Sequence, residues 1–155
     1  MPQISRRASS VISLVLSAVT LAAIVTGAFF MPRITAALCG TKLTPPDAPF
    51  YLSYAFVLAV AYLILTTAAV CDLVLLTLLI AIRRGEVFTP ANVARIRAVS
   101  WICIVAALLF AVLTPKFHIS AAVAFVTFFV GLCLRIVKNA FEEAVALKEE
   151  NDYTI

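Results

Sequence analysis

Charged residues are scarce in this 155-residue chain, making up only 13% of it. Soluble globular domains carry roughly a quarter charged residues, so the shortage argues against a soluble fold. Hydrophobic residues account for 64% of the chain, and its mean hydropathy is +1.10. The composition therefore predicts an integral membrane protein whose main partner is the lipid bilayer.

Residues typical of catalytic and metal sites are also scarce. The chain has one histidine, His118, and four cysteines without a CxxC pair, so neither a metal knuckle nor a disulfide framework is indicated. Asp47 and Cys39 belong to the same predicted side of the membrane as His118, which makes a metal site conceivable, but nothing fixes their spacing. No nucleophile and base form a catalytic pattern. We therefore predict a non-enzymatic protein without a cofactor or a metal.

Four apolar stretches are long enough, or nearly so, to cross a hydrocarbon core about 30 Å thick as helices. They predict an all-α integral membrane protein, a four-helix bundle that forms one domain over residues 1–155. The predicted transmembrane helices cover about residues 11–30, 55–82, 96–113 and 119–136. An extension of helix four and a short tail follow over residues 137–155.

The first loop is predicted to be external and to cover Met31–Phe50, because prolines interrupt the helical pattern there. Pro32 comes directly after the first apolar run, so the first helix is expected to end near it. Asp47 is a plausible N-cap for the second helix. That helix is then expected to begin near Phe50.

The basic residues predict the orientation. With the N-terminus in the cytosol, nine of the twelve basic residues lie on the cytosolic side, as the positive-inside rule requires. Both termini are therefore predicted to be cytosolic, with helix four extended into the cytosol. The same rule and anionic lipid headgroups account for the net charge of +4, so direct nucleic-acid binding is not expected. A homo-oligomer is left open.

Asp72 is the one acidic residue within an apolar run. It lies about 10 residues before Arg83, which places it roughly 15 Å deep in the membrane. One interpretation is a protonation-coupled or cation-binding carboxylate, or a docking point for a basic residue of a partner helix. The other is a neutral carboxyl group that joins helices by hydrogen bonds. The available hydroxyl partners are Ser13, Ser17, Thr20, Thr26 and Thr127.

The polar segment of residues 83–97, called the elbow below, separates the second and third apolar stretches and carries four of the twelve basic residues. Gly85 permits a sharp exit from helix two. Thr89 and Pro90 form a capping signal, with Thr89 as the N-cap and Pro90 at the first helical position. Helix three is therefore expected to start in the cytosol, before the bilayer.

Four further side chains of the elbow are compatible with a structural turn or with a docking surface. Phe88 is placed to pack back against helix three, and Asn92 can bond the backbone of the loop. Arg95 and Arg97 are expected to point toward lipid headgroups or toward acidic groups of the C-terminal extension.

The C-terminal extension keeps a helical pattern over residues 137–150. Asn151 and Asp152 then favour a stop, and residues 153–155 favour an extended strand. The tail is rich in acidic residues, which makes it a plausible counterpart to the arginines of the elbow.

Two segments carry a resemblance to a known family. One comprises Arg84–Val93 and Arg95–Arg97 in the elbow, and the other is the closing segment Leu147–Ile155. In these segments the chain resembles the bacterial membrane family catalogued as domain of unknown function 2975.

Members of that family are four-helix proteins whose genes often adjoin one for a small helix-turn-helix regulator. The resemblance therefore implies a multi-pass protein of the bacterial cytoplasmic (inner) membrane with a partner in transcriptional control. Carried over to this chain, the elbow motif comprises Gly85, Phe88, Asn92 and Arg97. The corresponding tail residues are Glu150, Asp152, Thr154 and Ile155, beside the acidic Glu149.

Two functional hypotheses follow. The first is a non-enzymatic regulatory or interaction protein, with a small helix-turn-helix transcription regulator docking on the elbow and the C-terminal tail. The second is a small proton-coupled transporter or exporter subunit that uses Asp72.

Overall fold

The chain folds into four long helices. The structure, a computed structural model, describes residues 6–39 and 53–152. The helices are α1 (Arg6–Cys39), α2 (Tyr54–Arg83), α3 (Pro90–Val112) and α4 (Ile119–Asp152). Each is long and apolar enough to cross a membrane, and even the 23 residues of α3 span about 35 Å. The molecule thus has the architecture of a multi-pass membrane protein.

The first helix is longer than its sequence predicts, because α1 continues through Pro32 to Cys39. Proline lacks the N–H that would bond the carbonyl four residues earlier, here the carbonyl of Ala28. The hydroxyl of Tyr62 donates to that carbonyl at 3.2 Å. A neighbouring helix thus supplies the missing donor, which is how proline is tolerated inside membrane helices. The prediction that the first loop starts at residue 31 is wrong for this reason.

The second helix begins at Tyr54, later than the predicted start near Phe50. Its N-cap is Ser53, whose hydroxyl accepts from the backbone N–H of Phe56 at 3.3 Å. Asp47, the predicted cap, lies outside the described residues. The hydroxyl of Tyr54 donates to the carbonyl of Pro32 at 3.2 Å, so the first turn of α2 is also tied to α1.

The helices form a row in chain order. Over the two described ranges, α1 packs on α2, α2 on α3 and α3 on α4, with no close backbone approach between helices that are not neighbours in sequence. The described helices therefore form a row, which differs from the four-helix bundle that the sequence analysis predicts. Lipid tails are as apolar as leucine side chains, so no hydrophobic force requires a membrane bundle to close on itself.

Close packing of α3 against α4 is centred on Gly131. Its carbonyl accepts from the hydroxyl of the buried Ser100 at 2.9 Å. A Cβ at position 131 would lie 3.2 Å from side-chain atoms of both Cys103 and Ile104. Glycine thus lets the two backbones approach closely, as small residues do between membrane helices.

A cluster of buried apolar residues lies at the helix ends opposite the elbow. It joins the C-terminus of α1 to the start of α2 and the end of α3, and its buried members are Cys39, Val57, Val60 and Leu113. Phe117, in the turn between α3 and α4, packs against it. This cluster joins the helices at one end of their length, and the elbow joins α2 to α3 at the other end.

Candidate functional site

The elbow begins with a tight turn at Gly85. Its φ of 87° lies in the left-handed region, which glycine adopts without the steric cost that a Cβ adds. The backbone N–H groups of Gly85 and Glu86 donate to the carbonyls of Ile82 and Ala81 at 3.0 and 3.1 Å. These bonds satisfy carbonyls that the end of α2 would leave open. The sharp exit predicted for Gly85 is confirmed.

The elbow ends with the cap of α3. Thr89 has an extended backbone and its side chain accepts from the N–H of Asn92, while Pro90 occupies the first helical turn. The missing N–H of Pro90 would have had no partner inside the helix. The predicted capping signal is therefore confirmed in its geometry.

Asn92 holds the elbow together from inside. Its side chain is 0% exposed. The amide nitrogen donates to the carbonyls of Glu86 and, at 3.0 Å, Val87. The amide oxygen accepts from the guanidinium of Arg95. Asn92 therefore bonds the loop backbone as predicted, and Arg95 donates to Asn92, while neither described ion pair with the C-terminal extension involves Arg95.

Phe88 links the elbow to α4. Its ring lies 5.6 Å from the ring of Phe141, between centroids, at an interplanar angle of 37°. Tilted aromatic pairs at this separation are favourable beyond the area that they bury. This contact with α4 was not predicted from the sequence, where Phe88 is expected to pack against helix three.

An ionic network makes a second link between the elbow and α4. The carboxylate of Glu142 pairs with the guanidinium of Arg97 at 2.5 Å and with the ammonium of Lys138 at 2.7 Å. A cavity of about 220 Å³ lies beside this network, lined by Pro90, Val93, Ala94, Arg97, Glu142 and Val145. One of the two predicted arginines therefore does meet an acid of the C-terminal extension. We call the elbow together with residues 138–147 of α4 the platform.

The predicted tail residues fall at the far end of α4. This helix continues through Asp152, so Asn151 and Asp152, which favour a stop, are its last described residues. Glu149 and Glu150 lie within the last turns of α4, while Thr154 and Ile155 lie outside the described residues.

Asp72 bonds α1. The hydroxyl of Ser17 lies 3.0 and 3.1 Å from the two carboxylate oxygens of Asp72, to which it donates. Asp72 is 8% exposed. Of the other hydroxyls considered from the sequence, those of Thr20, Thr26 and Thr127 donate to carbonyls of their own helices.

A groove runs from Asp72 along the contact between α1 and α2. Its volume is about 450 Å³. Its walls are formed by Ser13, Leu16, Ser17, Thr20, Asp72, Leu75, Leu78, Leu79 and Ile82. The groove therefore combines one carboxyl group and three hydroxyls with five aliphatic side chains.

The structure gives no support to the conceivable metal site. Cys39 is buried in the apolar cluster, His118 is exposed, and Asp47 lies outside the described residues. Over residues 6–39 and 53–152, no three His, Cys, Asp or Glu side chains gather as metal ligands.

Sequence reasoning missed several interhelical contacts. The guanidinium of Arg135 lies 4.4 Å from the ring centroid of Trp101, in a cation–π contact that joins α3 to α4. Ser100 and Tyr62 also bond backbone carbonyls of neighbouring helices. Polar side chains inside apolar runs were the available signal, but their partners depend on the helix register.

Comparison with known proteins identifies the family. A family model described as "Protein of unknown function (DUF2975)" matches residues 40–155, which include the elbow and all of α2, α3 and α4. The chain belongs to the DUF2975 family. The match confirms the family resemblance of the elbow and tail. No curated protein and no solved structure matches this DUF2975 chain.

Proposed function

We propose that this DUF2975 protein is a non-enzymatic membrane platform on which a small helix-turn-helix transcription regulator docks. The observation that carries the proposal is the double link between the elbow and α4. Phe88 packs on Phe141, and Arg97 pairs with Glu142. Two segments that are far apart in the chain thereby form one continuous surface.

The platform has the side chains that a docking surface needs. Phe88 is 45% exposed and Leu147 is 61% exposed, so each offers apolar area to a partner. The exposed charged residues Arg84 and Glu86 lie in the same loop as Phe88. Protein interfaces combine aromatic anchors with a polar rim in this way.

The proposed topology puts the platform in the cytosol. Basic residues are concentrated at the elbow end of the helices, which supports N-in orientation by the positive-inside rule. The 34 residues of α4 span about 51 Å, more than a hydrocarbon core of about 30 Å. This length supports a helix that continues beyond the membrane after residue 136. The family resemblance supplies the class of partner, and the bacterial cytoplasmic membrane as the location.

Co-purification tests the platform. The full-length protein, extracted in a mild detergent, should retain the regulator encoded by the neighbouring gene. Arg97→Glu and Glu142→Arg should each lower retention several-fold because each breaks the link between the elbow and α4, and the double charge exchange should restore part of it. Asn139→Ala, which changes an exposed residue of the platform that takes part in neither link between the elbow and α4, is the matched control for loss of those links.

Three results would contradict the platform. These are no retention of the regulator by the unaltered protein, equal retention by the charge variants and the control, and no transcriptional effect when the gene is deleted. Thermal stability of each variant in detergent, measured alongside, separates loss of docking from loss of fold.

A second function, a small proton-coupled transporter or exporter subunit, is favoured by the Asp72 geometry. The carboxyl group lies inside an apolar helix, bonds Ser17 and borders a groove of about 450 Å³. Carboxyl groups within membrane helices are typical of ion and proton paths. Proteoliposomes with an imposed pH gradient should show substrate flux that Asp72→Asn abolishes while the protein still assembles. Equal flux with and without the change would remove this candidate.

A further inference from the structure

We propose that the groove between α1 and α2 binds a compact lipophilic cation, with Asp72 as its counter-charge. The inference extends the Asp72 candidate above, but it needs only binding and no transport step. It depends on the shape of the groove, the charge of Asp72 and the apolar walls.

The groove has the size and opening of a small-molecule site. Its volume of about 450 Å³ falls within the range of roughly 300–1,000 Å³ typical of ligand pockets. Leu16 and Leu75 on its walls are 64% and 43% exposed, so the groove opens at the surface of the helix pair. Since α1 packs closely only on α2 in the described part of the chain, no other described helix covers that opening.

The carboxyl group of Asp72 takes part in neither of the described ion pairs. Both of those pairs involve Glu142, at the platform. Along α2 the nearest basic side chain is Arg83, eleven residues away or about 16 Å along the helix. An ionised carboxylate in an apolar medium carries a large desolvation penalty unless an opposite charge is paired with it. A bound cation would supply that charge.

The hydroxyl of Ser17 is compatible with such a ligand. An ionised carboxylate can accept about four hydrogen bonds, and Ser17 approaches it with a single hydroxyl group. The structure therefore holds the carboxyl group in place from the α1 side. It leaves acceptor capacity on the side that faces the groove.

The side chains that line the groove indicate which chemical class of cation would bind. A small inorganic cation needs about six oxygen ligands, and the side chains that line the groove carry five, two on the carboxyl group and three on hydroxyls. The remaining walls are aliphatic. A cation whose charge is dispersed under an apolar surface, such as a quaternary ammonium or phosphonium ion, matches both the carboxylate and these walls.

Equilibrium dialysis of radiolabelled tetraphenylphosphonium against the purified full-length protein tests the site. We expect saturable binding of one cation per chain. Asp72→Asn, which keeps the size of the side chain, should weaken affinity at least tenfold, whereas Asp72→Glu should retain binding. Glu86→Gln, which removes an exposed carboxylate outside the groove, is the matched control and should bind as the unaltered protein does.

A second variant keeps the test decisive if Asp72→Asn fails to fold. Leu75→Trp fills the groove and leaves the carboxylate in place, so it should also weaken binding at least tenfold. Absence of saturable binding to the unaltered protein would overturn the site, and so would Asp72→Asn and Leu75→Trp variants that bind the cation as tightly as the unaltered protein does. Binding in detergent without flux in proteoliposomes would support the site and remove only the transporter candidate.

Discussion

The pair of α1 and α2 and the pair of α3 and α4 are held together by different contacts. None of the residues in the most apolar part of α1 is buried, against 28% in the corresponding part of α3. The contact between α3 and α4 is a close approach of backbones around Gly131, extended by the aromatic and ionic links of the platform. The contact between α1 and α2 includes hydrogen bonds from the side chains of Ser17, Tyr54 and Tyr62, and a Cβ at its Gly27 would meet only Leu65, at 3.9 Å.

The difference separates a closely packed half, α3 with α4, from an open half, α1 with α2. Side-chain bonds spaced along a helix pair hold it together without filling the space between the bonds, and the groove beside Asp72 occupies such a space. Close backbone packing leaves no comparable room at Gly131. A docking surface profits from close packing because its side chains must stay in place, while a ligand site needs space that the side chains leave unfilled.

Among changes in the closely packed half, α3 with α4, Asn92→Ala should have the largest effect on stability. The change leaves the carbonyls of Glu86 and Val87 without their buried donor, at about 1–3 kcal/mol each. We expect a loss of about 2–4 kcal/mol of unfolding free energy, measured by denaturation in mixed micelles. Asn139→Ala, at an exposed position of α4, should change stability by less than about 0.5 kcal/mol. Equal effects at the two positions would show that the elbow does not depend on Asn92.

Alanine at the two membrane-helix glycines should act with opposite signs. At Gly131 the added methyl group would lie 3.2 Å from atoms of Cys103 and Ile104, and such overpacking typically destabilises by about 1–3 kcal/mol, less the gain in helix propensity. At Gly27 it would meet only Leu65, at 3.9 Å, so helix propensity should stabilise by about 0.5–1 kcal/mol. Melting temperatures in detergent check both signs. A destabilising Gly27→Ala would contradict the open packing of α1.

The open half should depend weakly on each of its hydrogen bonds. Ser17→Ala removes the bond to Asp72 and should cost about 0.6 kcal/mol, the average for bonds between membrane helices. Thr26→Ala, which removes a hydroxyl bonded within α1, is the control and should be close to neutral. Unfolding in mixed micelles measures both. A loss above about 2 kcal/mol for Ser17→Ala would show that Asp72 is mainly structural.

The smallest effect is expected from pH at the platform. With α4 outside the membrane beyond residue 136, as proposed, hydrogen bonds from Lys138 and then Arg97 lower the pKa of Glu142. A lowered pKa in the folded state means that the ion pairs stabilise the fold above the ordinary glutamate range, and that this contribution is lost as pH falls through the lowered pKa. The Glu142 side chain is solvent-exposed, so salt should screen the contribution.

Glu142→Gln tests this dependence. The melting temperature of the unaltered protein should fall slightly more between neutral and acidic pH than that of the variant. Identical profiles would show that the network links the elbow to α4 without measurable stabilisation.

Local chemistry made the elbow predictable. A glycine exit, a Thr-Pro cap and an asparagine in the first turn act on backbone groups within a few residues of themselves. Their geometry therefore follows from the sequence alone. The partner of Phe88 does not, because Phe141 is 53 residues further along the chain and meets it only through the pairing of α3 with α4.

Contacts between helices could not be predicted in the same way, because they depend on how the helices are aligned with each other. The sequence offered five hydroxyl partners for Asp72, and only the register of α1 against α2 selects Ser17. The same register brings Tyr62 to the carbonyl that Pro32 leaves open, which is why a proline that predicts a helix end lies inside α1. Composition predicted four helices capable of crossing a membrane but did not predict their arrangement in a row.

The row has a consequence for how the protein is made. Because every described helix packs closely only on its neighbours in sequence, each new helix finds its partner already synthesised. The hairpin of α1 and α2 can form first, α3 can join it through the elbow, and α4 can close the platform last. Such local pairing shortens the loops that folding must close. Ribosome-stalled chains that end after α2 should accordingly already contain the bond between Ser17 and Asp72.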